Sequence, residues 1–419
     1  MRKIALLLCL CLLLTILPSG CYDQREVNEM AYVIAMGLDV GVKNKLRLTL
    51  QIANMGQAPN GGMEQGSSQV GPANTTIITV DCPSVFTGLN LANVASSRQI
   101  NLMHSKLIVF SEKLARSGDI NKYAGAMLRY LEMRRIMNVV VSKGDAETFL
   151  KENNFFIGQD PVKDIFLMIK QGAYSGFYPQ VTLNDFYNDL KSTLEEPYAT
   201  LAGVNNLKEL DTKEMKNMQS EIHEGDYIAG KTPRRSGKKS EYFGMAVFRS
   251  GTMVGELTGE EARIFQFLNG KFEYGFYTIN DPQKPNNIIA LALQTGRTPK
   301  VSVDLRGEVP KIKVEVDLEG SIASIQSRIN YENPKLKKQL EKAFEQEVKR
   351  KMNQLLYKCQ HEYRSDIFGF ARAAVWQFAT IPDWQNYNWS ARFPDAEITA
   401  SVNFHIRRTG MILKSAPLN

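Results

Sequence analysis

The chain has 419 residues, of which 43% are hydrophobic and 23% charged, and its formal net charge is +7 at pH 7. A chain of this length can bury a large core and is expected to divide into two or three domains. Its positive residues are spread out except for one cluster, formed by Lys231, Arg234, Arg235, Lys238 and Lys239. Because no aromatic residue is interleaved with that cluster, the composition argues against a nucleic-acid-binding protein.

The first twenty residues have the three parts of an export signal. Arg2 and Lys3 give a positive start, residues 4–17 are almost wholly apolar, and small residues precede Cys21. The apolar run is shorter than the roughly 20 residues of a membrane-spanning helix. A cysteine after Ser-Gly resembles the bacterial lipobox, although Pro18 stands where that motif usually has Leu.

We therefore predict a lipoprotein signal peptide over residues 1–20 and lipidation of Cys21, with an S-diacylglycerol group and either an acylated or a free N-terminus. The alternatives are an ordinary cleaved signal, with Cys21 as a bystander, and an uncleaved signal retained as the anchor. After cleavage only Cys82 and Cys359 remain besides Cys21. Two cysteines do not make a disulfide framework, so we expect two buried thiols rather than a bridge.

Residues 21–205 alternate between strand and helix patterns, which predicts a mixed α/β region. The clearest strand has an apolar residue at every second position from Leu46 to Ile52. Further strands are expected over residues 76–80, 106–110 and 137–142. Helices are expected over residues 85–97, 120–134, 145–150, 162–173 and 183–194, and a polar loop over residues 56–74.

Residues 206–240 are polar and strongly charged, which predicts a linker or an insertion. The basic cluster lies in this segment. It is expected to be either a solvated loop or a site of attraction for anionic lipid head groups.

Residues 241–410 are predicted to form an α+β domain. A strand over residues 242–248 pairs with a hairpin partner at 253–255. Thr258 and Glu261 have the spacing of a capping box, and Gly270 is placed to end the helix that follows. Further strands are expected over residues 301–305, 312–318 and 398–406.

A long helix is predicted after Pro334, with apolar residues on one side at steps of three and four. We expect it to lie across a sheet rather than to form a coiled coil with a partner. The apolar side comprises Leu336, Leu340, Ala343, Phe344, Val348, Met352, Leu355, Leu356 and Cys359.

The sequence offers no candidate catalytic residue, metal ligand or cofactor site. Its histidines, His104, His223, His361 and His405, lack metal-ligand spacing. There is no phosphate-binding Gly-rich loop and no GxSxG nucleophile turn. The pair Glu260-Glu261 is better explained by helix capping than by acid–base catalysis. We therefore predict a protein that acts by binding or assembly and is not an enzyme.

Short motifs follow one another in a specific order from the signal to the last strand. They are Gly20-Cys21-Tyr22-Asp23-Gln24-Arg25-Glu26, Gly37-Leu38-Asp39, Phe243-Gly244-Met245-Ala246-Val247-Phe248, Met253-Val254-Gly255-Glu256-Leu257, Gly259-Glu260-Glu261-Ala262, Asp366-Ile367-Phe368-Gly369-Phe370, Phe393-Pro394-Asp395-Ala396 and Ile406-Arg407-Arg408-Thr409-Gly410. In order and spacing they resemble the Ger(x)C family, the C-subunit lipoproteins of spore germinant receptors. Tyr22 stands where the family usually has Trp, and Ala371 where it often has Gly.

The resemblance implies an α+β fold: an elongated, multi-domain mixed α/β body with antiparallel sheets and a long C-terminal helix, behind a cleaved signal peptide. It also implies a non-catalytic subunit on the outer face of the spore inner membrane of a Gram-positive bacterium. There it would work with a membrane-spanning A subunit and a transporter-like B subunit, in receptors triggered by amino acids, sugars or nucleosides.

Two rival functions stay open at this point. One is a solute-binding lipoprotein that captures a nutrient for a transporter, and the other is an envelope enzyme. Within the family motifs, Asp366, Phe368, Gly369 and Phe370 are expected to be a structural or interface motif.

Overall fold

The computed structural model describes residues 2–5, 26–54, 75–153, 161–207 and 224–409. Cys21, most of the predicted signal peptide and the predicted loop over residues 56–74 lie outside these ranges. Within the described ranges, every helix is too short or too polar to cross a membrane.

The larger of two sheets has nine strands, in the order β3-β2-β1-β5-β6-β7-β8-β9, with β4 paired to the start of β1. Four strands at its centre, β1, β5, β6 and β7, run parallel. The strands are β1 (Met30–Val40), β2 (Leu46–Ala53), β3 (Thr75–Cys82), β4 (Gln99–Asn101), β5 (Leu107–Ser111), β6 (Asn138–Ser142), β7 (Tyr198–Val204), β8 (Ser240–Arg249) and β9 (Thr252–Leu257).

Helices connect the parallel strands and cover the faces of this sheet. They are α1 (Val85–Val94), α2 (Glu112–Ser117), α3 (Ile120–Met127), α4 (Ala146–Glu152), α5 (Pro161–Ser175) and α6 (Leu183–Lys191). Every residue of β5 and β6 is buried. Continuous burial is typical of parallel strands covered on both faces, which explains why these strands read as unbroken apolar runs.

The motif Gly37-Leu38-Asp39 is where α4 docks on the sheet. A Cβ atom at Gly37 would lie 3.0 Å from Leu150 Cδ1 and 3.1 Å from Ala146 Cβ, so a larger residue would require the helix to shift by a few tenths of an ångström. The Asp39 carboxylate accepts hydrogen bonds from the backbone N–H groups of Ala146 (2.7 Å) and Glu147 (3.0 Å). It thereby satisfies N–H groups that the first turn of a helix leaves unpaired.

The second sheet has four strands, β10 (Tyr274–Asn280), β11 (Ile288–Asp304), β12 (Lys311–Ile325) and β13 (Glu397–Arg408), in that order. The C-terminal helices are α7 (Gly259–Asn269), α8 (Pro334–Tyr357), α9 (Ala371–Ala374), α10 (Ile381–Tyr387) and α11 (Trp389–Arg392).

Helix α8 covers one face of the second sheet and its free edge. The Phe344 ring lies 4.1 Å from that of Phe404 on β13. Glu345 and Glu341 accept hydrogen bonds from the backbone N–H groups of Phe404 and Ile406, each at 2.9 Å. These carboxylates protect an edge strand that would otherwise expose unpaired donors. The predicted helix across a sheet is confirmed.

The α+β class is confirmed, with differences in detail. Both sheets are mixed rather than antiparallel, because β13 also runs parallel to β12. The helix predicted over residues 120–134 ends at Met127, and tight turns then bring the chain back to β6 beside β5. Strand β11 begins at Ile288, well before the predicted strand over 301–305. Strand β10 was not predicted, since exposed aromatics hide its alternation.

The described part of the charged segment is packed onto the larger sheet. Ala229 is buried, and Glu241 accepts hydrogen bonds from the backbone N–H groups of Gly230 and Thr232. Strand β7 pairs directly with β8, so the sheet continues across this segment. Cys82 and Cys359 are buried and unpaired, as expected.

Candidate functional site

The loop of residues 364–372, here called the junction loop, joins the end of α8 to the larger sheet. The backbone N–H of Glu196 donates to the carbonyl of Asp366 at 3.0 Å. The hydroxyl of Ser365 donates to the carbonyl of Phe248 on β8 at 2.6 Å. The loop is therefore fixed to the larger sheet and to the segment before β7 by backbone atoms of Phe248 and Glu196.

Asp366 organises the loop from inside. Its carboxylate accepts hydrogen bonds from the backbone N–H groups of Phe370 (3.3 Å) and Ala371 (3.2 Å) and from the indole N–H of Trp389 (2.9 Å). Burial raises the pKa of Asp366 to about 7, although the hydrogen bonds from these donors lower it. Each donor would be left unsatisfied in the core without this side chain.

Gly369 is favoured by its backbone conformation and by the limited space around it. Its φ of +68° lies in the left-handed region, which glycine adopts without strain. A Cβ atom there would lie 3.0 Å from Glu195 Oε2 and 3.2 Å from Arg372 Nε. Those two groups form an ion pair, with Nη2 and Nε of Arg372 at 2.7 and 2.9 Å from the same oxygen of Glu195.

Phe368 and Phe370 fill the space between the loop and the helices around it. Their rings stack on each other at 5.1 Å between centroids. Phe368 also contacts Phe265 of α7 at 5.8 Å, and Phe370 lies 6.4 Å from Phe393. Because both side chains are buried, this part of the motif packs inside the molecule.

Two clefts flank the ion pair of Glu195 and Arg372. One, of about 350 Å³, is lined by Trp384, Trp389 and Arg364 among others. The other, of about 270 Å³, is lined by Asp189, Tyr198, Lys271, Gln180, Asp185 and Asn188, together with the ion pair. Burial and the nearby charge of Glu195 raise the pKa of Asp189 to about 7, opposed by Arg372.

The carboxylates of the first cleft already have partners within the protein. Glu195 is paired with Arg372, Asp366 accepts three N–H groups, and Glu196 accepts the backbone N–H of Ser250 at 2.7 Å. Acid–base catalysis needs a carboxyl group free to exchange a proton with a substrate. The arrangement is better suited to holding two parts of the chain together.

Ion pairs between α7 and α8 form a second connection. Thr258 and Glu261 make the predicted capping box, and Glu261 also accepts from the Lys358 ammonium at 2.8 Å. Glu260 pairs with Lys351 at 2.8 Å. Arg263, only 1% exposed, lies 3.0 Å from Glu224 and 3.6 Å from Glu260. Glu261 thus caps α7, as predicted, and both carboxylates also pair with lysines in or just after α8, which was not predicted.

The histidines of the described ranges lie far apart in the structure. His104 packs against Tyr32, His361 stacks on Tyr357, and His405 is exposed on β13. His223 and Cys21 lie outside the described residues. In the described part of the chain, no group of three or more His, Cys, Asp or Glu could hold a metal ion.

Three of the five cations in the basic cluster of the charged segment form ion pairs. Arg234 pairs with Glu241 at 2.9 Å, Lys238 with Asp164 at 3.5 Å and Lys239 with Glu152 at 3.3 Å. The Lys238 side chain is only 9% exposed. Lys231 and Arg235 are exposed, so the cluster combines ion-paired with solvated cations.

Sequence reasoning identified the junction motif but not its partners. Glu195 is 177 residues away from Arg372, and Trp389 is 23 residues from Asp366. No local pattern marks these residues, because their proximity arises only from the path of the chain.

Comparisons with known proteins agree with this two-part architecture. Residues 23–204 match the family described as Spore germination protein N-terminal domain, and residues 243–410 match Spore germination B3/GerAC like, C-terminal. Such a pairing of regions defines a class of spore germination proteins. The chain belongs to the Ger(x)C family.

Similar proteins extend over almost the whole chain. Spore germination protein YndF of Bacillus subtilis (strain 168) is 23% identical and covers 98% of both chains. Spore germination protein KC of the same strain is 24% identical and covers 98% of this chain and 97% of its own length. The crystal structure of the GerBC protein shares the fold, with a TM-score of 0.52 at 16% identity, over 92% of this chain and 100% of that one.

Proposed function

We propose that the chain is the lipid-anchored C subunit of a spore germinant receptor. It is attached through Cys21 to the outer face of the spore inner membrane and works there with the A and B subunits. The observation that carries the proposal is the match of both halves of the chain to germination families. Relatives named as spore germination proteins also match over nearly their full lengths.

The proposed domain organisation follows the same division. Residues 1–20 are the signal peptide, 21–205 the N-terminal region, 206–240 an insertion and 241–410 the C-terminal Ger(x)C domain. The pairing of β7 with β8 supports a receptor subunit whose two regions respond as a unit, because the larger sheet contains strands from both.

A non-catalytic role is supported by the junction geometry. The carboxylates there are bonded within the protein: Glu195 pairs with Arg372 of the junction loop, and Glu196 accepts the backbone N–H of Ser250. In this proposal the subunit transmits or stabilises a state of the receptor through contacts with A and B. It does not act on a substrate.

The anchor confines the subunit to the plane of the membrane. One acyl chain holds a protein only reversibly, whereas two chains make attachment stable. Once confined, the subunit meets its partners at a high effective concentration, so that weak contacts are enough to hold a complex.

The test replaces the anchoring residue in the full chain. Cys21→Ala should abolish metabolic labelling with a fatty acid, move the protein out of the membrane fraction and weaken germination. Cys9→Ala and Cys11→Ala are matched controls in the signal and should keep the label. Undiminished labelling of Cys21→Ala would place the lipid on another residue and contradict the proposal.

One observation favours the solute-binding alternative. The cleft of about 350 Å³ beside Trp384 and Trp389 is of a size that takes a small nutrient. Calorimetric titration with amino acids, sugars and nucleosides discriminates between the two functions. A receptor subunit that responds through contacts should show no tight binding, whereas a solute-binding protein should bind one nutrient tightly.

A further inference from the structure

Three segments of the N-terminal half meet at one edge of the larger sheet. Residues 26–29 precede β1, residues 102–106 precede β5 and residues 128–137 precede β6. Because these three strands are parallel neighbours, their amino ends lie at the same edge. Strand β4 pairs with the first three residues of β1, which brings residues 99–101 to the same place.

Hydrogen bonds join these segments into one surface. The side chain of Asn93, at the end of α1, accepts the backbone N–H of Ile100 at 2.9 Å. The carboxylate of Glu132 accepts the backbone N–H of Leu102 at 3.3 Å. The exposed side chains of residues 94–104 and 128–136 therefore form a continuous feature, here called the arginine edge.

The arginine edge combines protruding apolar side chains with cations. Leu131 is 99% exposed, Val94 87% and Ile136 62%. Four arginines, Arg98, Arg129, Arg134 and Arg135, are exposed, and none forms an ion pair with another described residue.

The carboxylates near this edge leave it positive. Glu132 is the only carboxylate within residues 94–104 and 128–136, and it is bonded to Leu102. Glu26 and Glu29 are exposed at the start of β1, so together with Glu132 three carboxylates stand against the four arginines and leave a net charge of +1. The contrast is with the basic cluster at residues 231–239, where three of five cations are ion-paired.

We propose that the arginine edge lies on the surface of an anionic bilayer, with Leu131, Val94 and Ile136 in the head-group region and the arginines on lipid phosphates. Apolar tips beside basic side chains are typical of proteins that lie in a membrane interface. Arginine binds phosphate through a planar fork of donors.

The orientation rests on the proposed anchor at Cys21. That residue lies nine positions before Met30, so the intervening chain reaches at most about 30 Å. The arginine edge surrounds the start of β1 and is the nearest surface to the anchor along the chain. Val42, 75% exposed, lies just past the opposite end of β1, about 35 Å further on.

The first test places a polarity-sensitive fluorophore at each end of β1. Leu131→Cys and Val42→Cys are made in the full, lipidated chain, where Cys82 and Cys359 are buried. Each protein is reconstituted in mixed phosphatidylcholine–phosphatidylglycerol vesicles. We expect a blue shift and quenching by brominated acyl chains at position 131, and aqueous emission at position 42.

The second test removes the charge. Arg98→Glu, Arg134→Glu and Arg135→Glu are combined in the chain with the probe at position 131. Each lost cation should weaken the contact about fivefold, so the probe returns to aqueous emission. The matched control reverses three exposed lysines of α8, Lys335, Lys338 and Lys342, and should leave the emission unchanged.

The outcomes distinguish failure of the membrane-surface proposal from failure of the proposed lipid anchor. An anchored chain with aqueous emission at position 131 overturns the arginine edge as a membrane surface. A blue shift that needs the receptor's A and B subunits, and is absent with lipid alone, also overturns it and makes the edge a protein interface. Failure of the anchor is recognised separately, by loss of the fatty-acid label.

Discussion

The junction loop and the arginine edge differ in how their residues are distributed along the chain. The junction loop contains a compact motif, and its key side chains, Asp366, Phe368 and Phe370, are buried. The arginine edge has no motif. It is assembled from separate segments, and its prominent side chains, such as Leu131, are exposed.

The comparison shows that a short sequence motif can reveal a buried loop but not a surface assembled from distant segments. In the junction loop, neighbouring residues satisfy one another's backbone groups, so a run of particular residues is needed to build the loop. A membrane-binding surface needs only positive charge and exposed apolar side chains at the depth of the lipid head groups. Segments far apart in the sequence can supply these side chains together. Substitutions should therefore affect stability at the junction and membrane contact at the edge.

The largest effect is expected at Phe368. Phe368→Ala removes a buried ring that contacts Phe265 and Phe370, and should lower the free energy of unfolding by about 3–5 kcal/mol. Thermal or denaturant unfolding measures this loss. Phe276→Ala, at a ring that is 57% exposed, is the control and should cost no more than about 1 kcal/mol. Unchanged stability with lost receptor assembly would instead make the loop an interface.

A smaller effect is expected where α8 crosses α7. Lys351→Met leaves the buried Glu260 without its nearest cation and should cost about 1–3 kcal/mol, since Arg263 still lies 3.6 Å away. Lys311→Met makes the same change in an ion pair that is 62% exposed on both sides, and should cost about 0–1 kcal/mol. Equal costs in denaturant unfolding would show that this junction does not depend on the buried pair.

The pH dependence of stability should be set partly by Asp189. Its pKa is raised to about 7 from 3.8, so between about pH 4 and pH 7 the folded state holds a proton that the unfolded state has lost. This group's contribution to stability therefore falls as the pH rises through that window. In Asp189→Asn the thermal midpoint should decline less between pH 5 and pH 8. The exposed Asp395→Asn is the control and should follow the parent chain; an unaltered slope in Asp189→Asn would contradict the assignment.

The smallest effect on folding is expected at the arginine edge. Leu131→Asp should change the free energy of unfolding by no more than about 0.5 kcal/mol, because the side chain is fully exposed. The same change at the fully buried Leu340 should prevent stable folding. Marked destabilisation by Leu131→Asp would mean that the edge supports the fold, and the comparison with the junction would fail.

Much of the fold could be predicted because it depends on local periodicity. The alternation from Leu46 to Ile52, the apolar side of α8 and the capping box at Thr258 all correspond to elements in the structure. Local periodicity did not indicate the observed structure in two places, the end of the helix at Met127 and strand β10. There the local pattern was overridden by turns into β6 or hidden by exposed aromatics.

The amino-acid sequence predicts the family, the class of fold, the long amphipathic helix and the motif of the junction loop, since each depends on residues close together in the chain. The parallel strands, the ion pair of Glu195 with Arg372 and the ion pairs of the basic cluster are apparent only from the three-dimensional arrangement. The same is true of the four scattered arginines at one end of the parallel strands. The physical reason is that such contacts join residues far apart in the chain, and their proximity depends on how the two sheets and their connections pack rather than on any local pattern.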